Sequence, residues 1–227
     1  MNPKRLFLYE EIMLLALHNQ KGTLASYAEH AVAGAVLAEL SLEKRISLDG
    51  TRKQLVDLHN GRPIGDPIIE ECVQIMKAAR KRAPLGTWVS RLAGIKRLRH
   101  KVAERLCHRG ILRTHEDKVL LMFKRRIYPE VNPGPEREVI ERLRTAIFAE
   151  NDRLDPRTIV LISLARGPDL LSAAFGRKEI KTRKKRIEQI VNGEMIGKAT
   201  KEVIDACQAA IMASVIMPVI IAGSSSH

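Results

Sequence analysis

Apolar residues recur at helical spacing over most of the chain. Between 6 and 17, Leu8, Ile12 and Leu15 return to one face, which predicts an amphipathic helix. The stretch 26–45, SYAEHAVAGAVLAELSLEKR, is rich in alanine and predicts a second. The period then changes. Ile46 and Leu48 alternate with polar residues, Asp49-Gly50 supplies a turn, and Leu55, Val56 and Leu58 predict the returning strand of a hairpin. Asp66-Pro67 opens a third helix, whose apolar face is Ile68, Cys72, Ile75 and Met76. A short helix over 87–92 carries Trp88, the one tryptophan of the sequence.

From 94 to 109 the apolar stripe is Ile95, Leu98, Val102 and Leu106, and Gly110 fits the position just past a helix end. The run VLLMFKRRIYP is strand-like up to Pro129 and predicts one arm of a second hairpin, with Ile111 and Leu112 in the other. VNPGPE reads as a loop, 136–150 and DPRTIVLISLARG as helices, and 177–191 as one very basic helix. Residues 206–223 carry no charge, but Gln208 and Pro218 interrupt them, so a buried helix is expected there rather than a membrane span. Glu10 and Glu11 break the apolar stretch near the N-terminus, and no signal peptide is expected. The pattern predicts a mainly α protein: a single compact helical domain over 1–227 with one or two short β-hairpins.

Composition narrows the partners. With 45% hydrophobic residues the chain has a core to bury, which excludes a wholly disordered protein. Lys and Arg total 39 against 26 acidic residues, a formal charge of +13, so a polyanion is expected to attract it: nucleic acid, an anionic bilayer or an acidic protein. Cys72, Cys107 and Cys207 sit at no metal-ligand spacing and read as reduced thiols of a cytosolic protein. There is no glycine-rich nucleotide loop, no HExxH and no GxSxG, and the seven histidines are scattered. The sequence therefore predicts a protein that is not an enzyme and that needs no metal and no cofactor.

Two basic clusters remain. On a helix over 94–109, Lys96 and Arg99 are three residues apart and project on one flank of the apolar stripe, with small Ala103 beside them. That is one way to build a phosphate pocket, Arg giving a planar fork and Lys a point charge; it is also one way to build a solvated helix face. The second cluster, RKEIKTRKKR at 177–186, holds seven cations in ten residues and suits bilayer and DNA phosphates alike. A helix followed by RISLD and RKQLVDL, and again KVAERLCHRGIL followed by VLLMFKRRIY, has the order of a winged helix, so a nucleic-acid-binding regulator is the alternative reading. Against nucleic acid, the first of these helices offers few side chains that reach base edges.

The order of segments resembles the Golgi phosphoprotein 3 family, including its bacterial branch. The likeness is carried by LYEEIMLLAL, AGAVLAELSLEKRISLD, GDPIIEECVQIMK, TWVSRLAG, KRLRHKVAERLCHRGIL and DPRTIVLISLARGPDLLSAAFG, in this order. The resemblance implies a helical domain with its hydrophobic helices at the centre, peripheral cytoplasmic binding to membranes through phosphatidylinositol 4-phosphate, and an adaptor role toward a protein client. It implies a lipid head-group site in which Lys96 and Arg99 stand where relatives have two arginines. A further family arginine falls on Ala33, and a tryptophan on or near Leu24. With those two lost, anionic-phospholipid affinity is expected with reduced selectivity. The resemblance also implies that a hairpin over about 111–128, with Val119, Leu120, Leu121, Met122 and Phe123, serves membrane contact or homo-oligomerisation.

Overall fold

A computed structural model describes residues 5–18, 23–24, 28–49, 55–59, 62–119, 123–149, 154–166 and 169–192. The elements run α1 (Leu8–Ala16), β1 (Leu17–His18), β2 (Thr23–Leu24), α2 (Ala28–Leu42), β3 (Ile46–Leu48), β4 (Val56–Leu58), α3 (Pro67–Lys77), α4 (Leu85–Ala93) and α5 (Leu98–His108). They continue with β5 (His115–Val119), β6 (Phe123–Ile127), α6 (Gly134–Phe148), α7 (Pro156–Arg166), α8 (Leu170–Phe175), α9 (Arg177–Thr182) and α10 (Lys184–Val191). The mainly helical architecture with short hairpins is as the sequence predicts. Among the described residues the sheets are three antiparallel two-stranded pairs, β1 with β2, β3 with β4 and β5 with β6.

Local chemistry explains where several elements begin. Asp66 caps α3, its Oδ1 accepting from the Ile68 and Ile69 amides at 3.1 Å, and Pro67 takes the first helical position, where no amide hydrogen is needed. The β3–β4 hairpin forms as predicted, with Ile46 paired to Leu58 and Leu48 to Val56. The second hairpin differs from expectation. The apolar run VLLMF is not one arm: the chain reverses between Val119 and Phe123, which pair with each other, and the arms are β5 and β6. Leu112 instead makes a bridge to Glu130 at the hairpin's base. The basic stretch 177–191 is likewise two helices, broken at Arg183.

Helices α1 and α7 form the centre. Every residue of α1 is buried, and so is every residue of α7 from Arg157 to Ala165. They pack on α2, which is buried from Ala31 to Ser41. Helices apolar on all sides belong in an interior, yet these carry Glu10, Glu11, Glu39 and Arg157 into it. Burying such charges is tolerable only where they meet one another. The Arg157 guanidinium lies 2.6 and 2.9 Å from the two Glu39 oxygens and also donates to the Leu6 carbonyl at 2.7 Å. Glu39 in turn accepts from the Leu8 amide at 2.7 Å. Glu11 pairs with Arg142 of α6 at 2.8 Å, and Glu10 with Arg109, just past α5, at 2.5 Å. Burial alone would lower the Arg157 pKa, but Glu39 and Glu11 hold it above its ordinary value. For Glu10 and Glu11 burial wins and raises the pKa, with the arginines opposing it.

Two measurements follow from this interior. Arg157→Ala leaves Glu39 and Glu11 buried beside no cation on α7, and urea denaturation should show a loss of about 3–5 kcal/mol; a loss below about 1 kcal/mol would contradict the role assigned to the pair. Nearer the surface, partial desolvation and the neighbouring Glu136 carboxylate raise Glu130 to about 7. A raised carboxyl pKa stabilises the fold below the unfolded value, and that contribution disappears as pH rises through the folded value. The melting temperature should therefore fall between about pH 5 and about pH 8, and fall less in Glu136→Gln.

Candidate head-group site

The turn between α4 and α5 decides how the two candidate cations stand. Gly94 ends α4, and Arg97 adopts φ 60°, in the left-handed region, so α5 begins at Leu98 rather than at 94. Lys96 is exposed on that turn and is not helical, while Arg99 sits in the first turn of α5 and is half-buried. The helical spacing that would set Lys96 and Arg99 on one flank does not apply, because Lys96 precedes the helix. Ala103 is fully buried and faces the core, so it leaves no space beside them.

Across the gap stands a residue the sequence gives no reason to single out. Arg99 Nε lies 3.1 Å from Oε1 of Glu29, in the first turn of α2. A carboxylate suits that helix end, which explains Glu29 without reference to a ligand. Their side chains are 33% and 25% exposed, so water and ions reach the pair. One turn along α2, Ala33 has no exposed surface. The position at which relatives are expected to carry an arginine is part of the core here. Leu24 closes the short β2 strand, opposite Leu17.

Below the cations, the Nδ1 atom of His100 lies 2.9 Å from the Tyr128 hydroxyl. Burial lowers the His100 pKa, and Arg99 and Arg97 lower it further, which disfavours a charge on the ring. Positive charge is thus concentrated on Lys96, Arg97 and Arg99, at a helix start that has no acidic residue in its first turn and no side-chain cap. The helix dipole adds to that field, which disfavours the fold locally and attracts an anion. The remaining cations of this segment serve structure. Lys101 meets Glu71 at 2.6 Å and Arg105 meets Asp66 at 3.2 Å; with Arg109 and Glu10 these pairs clamp α5 to α3 and α1.

The other expectations fall in different places. Leu120, Leu121 and Met122 lie outside the described residues, as does 206–223; the Phe123 backbone opens β6. The 177–186 cluster is solvent-facing, with Arg177, Lys178, Lys181, Arg183, Lys184 and Lys185 all exposed. Burial of α2 removes the recognition helix that a winged-helix reading needs. Cys72 and Cys107 are free thiols, and burial pushes Cys72 up to about 12. Among the described residues no three His, Cys, Asp or Glu side chains are placed to hold a metal, and no helix is long and apolar enough to cross a membrane.

Comparison with known proteins agrees with this architecture. The chain is similar to vacuolar protein sorting-associated protein 74 of Schizosaccharomyces pombe (strain 972 / ATCC 24843), 21% identical over 173 residues that cover 66% of this chain and 51% of that protein. It spans about half the length of this curated relative. The family model for Golgi phosphoprotein 3 (GPP34) matches residues 8–207, which takes in every helix and strand from α1 to α10. The chain belongs to the Golgi phosphoprotein 3 family.

Proposed function

We propose that this protein is a peripheral membrane-binding protein rather than a catalyst, docking from the cytoplasm on anionic phospholipid. One observation carries this reading: core pairing consumes acidic residues inside, while the cations at 177–186 face solvent with only Glu179 among them. Each basic residue close to an anionic leaflet contributes about 1 kcal/mol, and the attraction fades within a Debye length. Family membership supports the same reading, since phosphatidylinositol 4-phosphate binding is what the family resemblance implies.

In this proposal Lys96 and Arg99 contact a lipid phosphate and Glu29 holds Arg99 when none is present. Selectivity for phosphatidylinositol 4-phosphate is modest, because Ala33 supplies no cation and Leu24 no aromatic wall. The hairpin carrying Leu120, Leu121, Met122 and Phe123 adds apolar contact to the bilayer or to a second copy of the chain, and an adaptor role would need a protein client.

Co-sedimentation with vesicles tests this directly. Binding is expected to phosphatidylserine and to phosphatidylinositol 4-phosphate vesicles, not to neutral ones, and to weaken as salt is raised. Lys96→Ala/Arg99→Ala should lower phosphoinositide binding more than phosphatidylserine binding; equal losses would remove the head-group role of this pair. Absence of binding to any acidic vesicle would overturn the membrane reading. Glu29→Gln makes a separate point. Freeing Arg99 from an exposed pair should raise phosphoinositide affinity by up to about fivefold, and an unchanged affinity would show that Glu29 does not compete.

A further inference from the structure

A second basic concavity lies between the last four helices of the described residues. Arg166 at the end of α7, Arg177 and Lys181 of α9 and Lys184 of α10 surround a cleft of about 230 Å³. One carboxylate, Asp169, lines it with them. Its apolar wall is Leu171, Ile180 and Ile187, of which Leu171 and Ile187 are buried. Four cations contributed by three helices to the lining of one concavity differ from a charge run along a single helix face. The size is informative too. Pockets for drug-sized ligands begin near 300 Å³, so this one suits a compact anion rather than an acyl chain or a nucleotide.

The cations are exposed and weakly partnered. Arg166 stands 3.7 Å from Glu188, Arg177 3.8 Å from Asp169 and Lys184 4.0 Å from Glu188, all long separations at exposed sites. Lys181 has no carboxylate partner among the described residues. The backbone fixes the rim. Asp169 adopts φ 57° before α8, and Gly176 adopts φ 89° between α8 and α9. A Cβ at Gly176 would meet nothing within 4 Å, so glycine is there for its conformation and not for space.

From this convergence of four cations over an apolar wall, we propose that the α7–α10 cleft binds a phosphomonoester. Such a group carries nearly two negative charges and three acceptor oxygens, which matches several cations from different helices better than a singly charged diester does. On the membrane reading above, the phosphomonoester is the head group of an anionic lipid, with the apolar wall against its glycerol carbons. The identity of the source rests on that reading; the pocket does not.

The test separates the two. NMR titration with glycerol 3-phosphate reads the pocket without a membrane. Vesicles of phosphatidylcholine with phosphatidic acid, against phosphatidylserine vesicles of matched surface charge, read the lipid. Two variants remove equal charge: Lys181→Ala/Lys184→Ala inside the cleft, and Lys178→Ala/Lys185→Ala on exposed positions outside it. All four lysines are exposed, so unchanged melting curves are expected for both. The cleft variant should weaken glycerol 3-phosphate and phosphatidic acid binding about tenfold or more, while the other changes the soluble titration by less than about twofold. Equal losses in the two variants, or vesicle binding with no response to glycerol 3-phosphate, would overturn the pocket and leave only diffuse attraction to the membrane. A response to glycerol 3-phosphate without vesicle binding would keep the pocket and overturn the lipid as its source.

Discussion

The arrangement of the described core turns on one buried pair. Arg157 comes from α7 and Glu39 from α2, and between them they also engage the Leu6 carbonyl and the Leu8 amide at the start of α1. Three helices from distant parts of the sequence are thereby fixed in azimuth as well as in distance. Hydrophobic contact alone would allow α1 and α7, apolar on every side, to rotate about their axes at little cost. A bidentate contact has one geometry, and a rotated helix would strand a charge in the interior.

Once these helices are oriented, the outer elements follow. Glu10 and Glu11 lie on α1 and point to Arg109 and Arg142, which brings up the end of α5 and the face of α6. Asp66, buried at the start of α3, both caps its own helix and receives Arg105. The placement of α5 is what sets Arg99 opposite Glu29. The candidate site is in this sense a by-product of core pairing: its geometry depends on charges that no ligand reaches.

Sequence reading does well where the determining chemistry is local. Asp66-Pro67 announces α3 because cap and first-turn proline act within three residues, and Asp49-Gly50 with its flanking alternation announces β3–β4. It does less well where an apolar stripe runs on through a break. Ile95 stays in phase with Leu98, Val102 and Leu106, so periodicity shows no interruption at Arg97, whose left-handed backbone no glycine or asparagine marks. The same holds at Arg183, and at the reversal between Val119 and Phe123, where neighbouring apolar residues look like continuous strand. The Glu29–Arg99 contact was out of reach for a different reason: it exists only through the packing of α2 near α5. The family resemblance supplied the hydrophobic centre and pointed to Lys96 and Arg99, but not the carboxylate that faces them.

The sorting of acids and bases also bears on how the protein behaves in a mixture. Each ion pair drawn into the core removes one charge of each sign from the outside, so the overall +13 is unchanged while the outer shell becomes more uniformly cationic. Such a shell is electrostatically frustrated, and multivalent anions relieve the repulsion whichever molecule carries them. Multivalent anions of a cell extract, nucleic acid included, are therefore expected to co-purify with the protein through this imbalance.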